Sequence, residues 1–267
     1  MLVATGDRPG FMTSPEPAAS TQPLGGLAAA EDGTYEVEGR AIHMPVRVRS
    51  ARMASAMFLV DGDSAQSLLA HTGLVVARRS KGRAMVSLAL VKYVDCDLDT
   101  YDEIGLAFVV DDPPGAPPLP RGGVATYLHR LPVSESFTCH AGRGIWGFPK
   151  WVAPMSISFE RSSVVASLDG EVGIRIRAGR IPVPPRPLTM ACYSNTEDGS
   201  ILRTEWTTNN RATRLRLGKR SAEVTLLGSG PLAADLRSLG LPASPVLSMV
   251  AGQMRATFAA PACIKPG

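Results

Sequence analysis

From Thr34 onward the chain is cut into short runs rich in β-branched residues, nearly all bounded by Gly, Pro, Asp or Asn. That punctuation constrains the fold most, because short alternating runs between turn residues are what strands need and long helices cannot tolerate. Tyr35, Val37 and Gly39 share one face of the first run, and Val46 and Val48 alternate with Arg47 and Arg49. Further strands are expected over 53–60, 84–94, 104–110, 123–131, 153–159, 163–168, 172–177, 188–194, 201–206, 212–217, 221–227 and 246–258. Three helical segments interrupt them. The first, 61–73, is capped by Asp63 or Ser64; 134–144 starts at Ser134 with Gly142 as a stop; 231–240 ends at Gly240. Strands do not alternate with long helices, which disfavours a doubly wound α/β fold. The expectation is a mainly β fold, a mostly antiparallel sheet closed into a barrel or folded into a sandwich. The run Asp111–Gly123 holds too many prolines for a central strand and reads as an exposed loop. Residues 1–32 are small, polar and rich in Pro and Ala, and read as a disordered tail before one domain over 33–267.

Charge and cysteine usage exclude several classes of function. The net charge is +4, and only five of the 28 basic residues are lysines. The arginines are scattered, and aromatics make up 6% of the chain, so neither a nucleic-acid groove nor a stacking platform is expected. No run of 18 apolar residues exists, so no membrane-spanning helix is expected. Cys96, Cys139, Cys192 and Cys263 form no CxxC pair, and Cys139–His140 has no second cluster to complete a zinc site. That pair reads as a core thiol beside a surface imidazole. Nothing resembles a signal peptide, and four free thiols suit a reducing cytoplasm.

Gly142-Arg143-Gly144-Ile145-Trp146-Gly147 fits the spelling GxGxxG. A dinucleotide site needs a strand before those glycines and a free-running helix after them. Here a helix precedes, Pro149 follows two residues after the third Gly, and Trp146 crowds the phosphate position, so a Gly-rich turn between helix and strand is the better reading. The residue with the most chemistry is Lys150. It stands among Ile145, Trp146, Phe148, Trp151 and Val152, with Pro149 fixing the backbone before it. A free lysine, pKa ~10.4, is the neutral amine about once in 2,500 molecules near pH 7. Full burial lowers a lysine by roughly 3–5 units and raises that fraction accordingly. A lysine in an apolar pocket can therefore form Schiff bases. Equally, its amine can snorkel to solvent while the stem lies on the aromatics.

The segment from Gly142 to Lys150 resembles the active-site G-R-E-x-x-x-[YF]-P-K segment of the acetoacetate decarboxylase family. Ala125-Thr126-Tyr127-Leu128-His129 resembles that family's Tyr-Leu strand, and Tyr101-Asp102-Glu103-Ile104-Gly105-Leu106-Ala107 its Y-x-E-x-G-x-A strand. Thr34-Tyr35-Glu36-Val37-Glu38-Gly39-Arg40 resembles its P-Y-x-x-x-x-R element. The resemblance spans about 33–260 and implies an antiparallel closed β-barrel or cone with an apolar interior, in a homo-oligomer. It implies Lys150 as the Schiff-base lysine, with Arg40 and Glu103 as polar residues of the pocket. Tyr35, Tyr127, Trp146, Phe148 and Trp151 are expected to line that pocket. No organic cofactor or metal is implied, because the imine is itself the electron sink. Two departures stand out. The family's decarboxylases carry a second lysine where this chain has Trp151, and a second glutamate falls near Ser87 or Leu88.

The expected reaction is decarboxylation of a small β-keto acid through an imine on Lys150, with Arg40 orienting the carboxylate and Glu103 moving protons. Two other readings stay open: an imine-dependent aldolase or dehydratase acting on pyruvate-like substrates, and a non-catalytic barrel binding a small acid.

Overall fold

The computed structural model describes residues 24–264, so residues 1–23 of the expected tail lie outside the described residues. The tail's last part does not behave as a free end. Gly25 and Leu27 donate backbone hydrogen bonds to the carbonyls of Arg143 and Gly144, and Leu27 packs on the core.

The described chain is mainly β with three α-helices. In order run β1 (Tyr35–Val37), β2 (Arg40–Ile42), β3 (Val46–Asp61), α1 (Gly62–Leu68), β4 (Arg83–Cys96), β5 (Tyr101–Val109), β6 (Val124–Val133) and α2 (Ser136–Trp146). Next come β7 (Lys150–Val152), β8 (Met155–Phe159), β9 (Ser163–Leu168), β10 (Val172–Arg177), β11 (Ile181–Val183) and β12 (Pro187–Asn195). The rest are β13 (Ile201–Leu217), β14 (Ala222–Leu226), α3 (Pro231–Ser238), β15 (Leu247–Phe258) and β16 (Ala262–Ile264). Hydrogen bonding passes from β13 through β12, β6, β5, β4, β3 and β15 and returns to β13, a ring of seven strands. The expected antiparallel pairing holds around the ring except at one join, where β12 runs parallel to β6; β7 also lies parallel on β6, outside the ring. A second sheet, ordered β14-β10-β9-β8, stands apart.

Each ring strand has two faces, and each face feeds a different core. On β4, Leu88 and Leu90 join the cluster shared with the second sheet and α3, whereas Val91 and Tyr93 join a cluster under α2. On β6, Tyr127 belongs to the first cluster and Leu128 and Leu131 to the second. This division decides which side chains can reach Lys150.

The strands expected over 163–168 and 172–177 lie there, and the separate runs 201–206 and 212–217 are one strand. Asn209 and Asn210 do not turn the chain, because both neighbouring strands hold β13; the irregularity falls at Ala212, which takes φ +51°. Asp61, not Asp63 or Ser64, caps α1, its carboxylate accepting from the backbone N–H groups of Asp63 and Ser64.

One ion cluster ties a helix to the strand beside the site. Asp235 on α3 accepts from His129 Nε2 at 2.8 Å and Arg130 Nε at 2.6 Å, both on β6. Burial works to raise the Asp235 carboxyl, but the His129 and Arg130 hydrogen bonds and the Arg130 charge outweigh it and hold it below 3.8. A carboxyl lowered by folding adds stability that is full above its unfolded value and disappears as the pH falls through its folded one. Asp235→Asn is therefore expected to lose about 1–3 kcal/mol at pH 7. Urea unfolding should show the gap between variant and parent closing below pH 3.8. A gap that persists unchanged at pH 2.5 would contradict this origin for the stability.

Candidate active site

Lys150 owes its position to the way α2 ends. Gly147 adopts φ +63° at the helix C-terminus, where the left-handed region favours glycine, and its N–H donates to the Arg143 carbonyl at 3.0 Å. Phe148 N–H then donates to the Gly142 carbonyl at 3.0 Å, so the chain doubles back and Phe148 and Lys150 return beneath the helix. Pro149 adds a fixed φ just before β7 begins at Lys150, which pairs with Leu131 of β6. A Cβ placed on Gly142 would stand 2.6 Å from Lys150 Cδ and 2.8 Å from Cε, so the lysine stem runs directly across that glycine. The glycines that imitate a nucleotide motif thus have local uses: Gly142 lets Lys150 pass and Gly147 turns the chain. They are not a turn throughout, because Gly142 and Gly144 lie within α2, which runs past the expected stop to Trp146.

Only 4% of Lys150 is exposed, and its amine does not snorkel. Nζ lies 2.8 Å from Glu103 Oε2 on β5, donates to Thr138 Oγ1 on α2 at 3.2 Å, and sits 5.0 Å from the centre of the Tyr101 ring. Tyr93 donates its phenol to Glu103 Oε1 at 3.3 Å and stacks on Tyr101 with ring centres 4.2 Å apart. Burial first, and the Glu103 charge second, push both phenols well above their usual 10. They therefore stay protonated at neutral pH, and Tyr93 can donate to Glu103. The lysine and glutamate compensate each other in a desolvated setting, where removing one partner is far more costly than removing both.

These groups open onto a small cavity walled by Tyr93, Tyr101, Glu103, Leu128, Leu131, Trp146, Phe148, Lys150, Trp206 and Phe258, with Leu98. About 20 Å³ is open to the centre of a water molecule, room for roughly one water. A keto acid is larger, so side chains in the wall must shift to admit it. Six of the chain's fifteen aromatic residues stand in this wall. That concentration keeps water scarce and strengthens the electrostatics of the lone carboxylate and amine.

The sequence candidates divide sharply. Lys150, Glu103, Trp146 and Phe148 meet at the cavity. Trp146 is fixed there by Nε1 donating to the Ala259 carbonyl at 2.9 Å and by stacking on Phe148 at 5.7 Å. Trp151 does not line the cavity: it comes after Lys150 on a strand, so it faces the other way and remains half-exposed. Tyr127 is turned from the cavity for the same reason, since Leu128 takes the facing position and Tyr127 packs in the other core beside His129. Tyr35 is buried in the cluster under α2 but outside the wall. Arg40 is not gathered with Lys150 and Glu103. Its side chain is 45% exposed, paired with Asp99 at 2.5 Å and stacked 3.8 Å over Phe137. Where the second family carboxylate would fall, Leu88 is packed in the core shared with the second sheet.

Sequence reasoning did not assign Tyr93, Thr138 or Trp206. The strand register offers a signal for the first: Tyr93 pairs with Tyr101, two residues from Glu103 on the same face. Thr138 carries no comparable signal, because its role comes only from α2 crossing over β7. Cys139 is core and His140 binds Glu38 near the surface, as expected of that pair.

Residues 35–210 match the family model for acetoacetate decarboxylase. No curated protein matches the sequence. Among solved structures, acetoacetate decarboxylase from Legionella pneumophila superposes with a TM-score of 0.57 at 14% identity, covering 85% of this chain and 91% of that one. The enduracididine biosynthesis enzyme MppR, complexed with pyruvate, gives a TM-score of 0.58 at 13% identity and covers 92% and 99%. An acetoacetate decarboxylase-like enzyme from Sphingomonas wittichii gives 0.51 at 13% identity, covering 85% and 96%. At such identities the likeness is one of fold.

Proposed function

The chain belongs to the acetoacetate decarboxylase family, and on that premise we propose that it is a Schiff-base enzyme that decarboxylates a small β-keto acid on Lys150. The reading rests chiefly on one observation: a 4%-exposed amine held 2.8 Å from a buried carboxylate in an aromatic cavity. Glu103 takes the ammonium proton, and the freed lone pair attacks the keto carbon. Loss of water gives an iminium. The bond to the carboxylate then breaks, its electron pair flows to the iminium nitrogen, and CO2 leaves an enamine. The proton Glu103 took leaves in the water already lost, so Glu103 relays a second proton from solvent to the enamine carbon, and hydrolysis then releases the ketone and restores the amine. Tyr93 and Thr138 act as positioning residues, one fixing Glu103 and the other Lys150. In this reading the seven-strand ring is the family's barrel, or cone, and its aromatic filling is what keeps the amine dry.

A second reading, aldol or dehydration chemistry on a pyruvate-like substrate, is favoured by the single carboxylate in the cavity wall. It uses the same iminium and enamine but joins the enamine carbon to an aldehyde instead of a proton. Support for it also comes from the fold shared with an enzyme complexed with pyruvate.

Borohydride reduction with a panel of β-keto acids and pyruvate tests both. We expect one stable adduct mapping to Lys150 by mass spectrometry, and CO2 release against aldehyde-dependent pyruvate consumption then separates the reactions. An unmodified protein with every keto acid tried would remove imine chemistry altogether.

A further inference from the structure

Trp206 lines the Lys150 cavity, yet its indole N–H is buried and has no hydrogen-bond partner among the described residues. The other indole in the wall, Trp146, is satisfied by Ala259. Buried polar groups left unpaired are rare, and one carried by a residue of the cavity wall calls for a cause. A ligand with a hydrogen-bond acceptor supplies one.

Charge narrows the ligand. The cavity wall holds one cation, Lys150, already opposed by Glu103, and Arg40 stands apart at the surface. A keto acid must bring a carboxylate into this wall, and among the residues that line it the unpaired donor is the neutral Trp206 N–H, which a shift of the ring admitting the substrate can present to it. Resting on the imine reading above, we propose that Trp206 recognises the substrate's carboxylate through Nε1–H, so that the site takes monocarboxylic keto acids with a small apolar remainder. A neutral donor suits a carboxylate that leaves as uncharged CO2. A guanidinium would hold the ground-state charge more tightly than the transition state in which that charge is dispersing, and such binding opposes the step.

Two measurements with pyruvate as the probe test this. The indole resonance of Trp206, one of three in the chain, should move downfield in proton–nitrogen NMR spectra of the wild-type protein as pyruvate is added. In the second, Trp206→Phe keeps an aromatic ring and removes the donor. The pyruvate concentration for half-maximal borohydride trapping should rise about tenfold or more, a larger loss than that for cyanoborohydride trapping of the neutral ketone butanone. An adduct on Lys150 with a still Trp206 signal, or equal losses for pyruvate and butanone, overturns the assignment while leaving the imine reading intact. No adduct in the wild type overturns both. The NMR arm does not depend on the variant folding.

Discussion

Lys150→Met is expected to abolish turnover and keto-acid trapping, and to destabilise the fold by about 3–5 kcal/mol. The activity loss comes from removing the amine in the cavity wall. Without the covalent route the rate should fall roughly 10⁴-fold or more, to a level set by binding alone. The stability loss has a separate origin. Methionine fills nearly the same space, so little packing is lost, but Glu103 remains 6% exposed with its cation gone. An uncompensated buried carboxylate is the costly species, so adding Glu103→Gln should restore most of the lost stability. The amide oxygen can still accept from the Tyr93 phenol, and the carboxylate charge has disappeared. Denaturant unfolding of the parent, both single variants and the double variant closes this cycle. If Lys150→Met is as stable as the parent, Lys150 and Glu103 are not a desolvated, mutually compensating pair. If the double variant turns over, Lys150 is not the nucleophile.

Much of this arrangement is legible in the sequence. Lys150 is marked by its aromatic neighbours and a preceding proline, and Glu103 by the resemblance of its strand to the family's Y-x-E-x-G-x-A strand. Strand boundaries marked by Gly and Pro are read well, because those residues fix backbone geometry wherever they occur. What escapes is information held in pairing. Trp151 is adjacent to Lys150 in sequence, and in a helix or loop it could share the pocket; β7 pairing with β6 sends it to the opposite face. Tyr127 and Leu128 exchange roles for the same reason, since nothing local says which face of β6 meets which core. Arg40 shows a different limit. A guanidinium is read as a carboxylate ligand from its chemistry, but Asp99, 59 residues away, meets it at the surface first. Thr138 and Trp206 reach the site through the crossing of α2 and the closure of the ring, which no sequence period announces.

Gly142→Ala should leave the protein folded and disable it. Alanine is the better helix former by about 1 kcal/mol, and Gly142 lies inside α2, so the substitution favours the helix. The new methyl, however, would stand 2.6 Å and 2.8 Å from Cδ and Cε of Lys150, closer than carbon atoms approach. The lysine stem must swing away, and its amine is tied to Glu103 at 2.8 Å and Thr138 at 3.2 Å, so the displacement reaches Nζ. A reacting atom misplaced by about 1 Å costs on the order of 10²-fold in rate. We expect kcat to fall by about that factor, with the melting temperature lowered by less than in Lys150→Met, because the helix gain offsets part of the overpacking, and keto-acid trapping slowed in proportion. A melting temperature lowered as far as in Lys150→Met would mean that the buried pair is lost and not merely displaced. Alanine with full activity would mean that the lysine stem has room the structure does not give it. The obstruction lies along the stem and not at its tip, so freeing the amine cannot relieve it. Adding Thr138→Val, which removes one tether of Nζ, should therefore recover none of the lost rate.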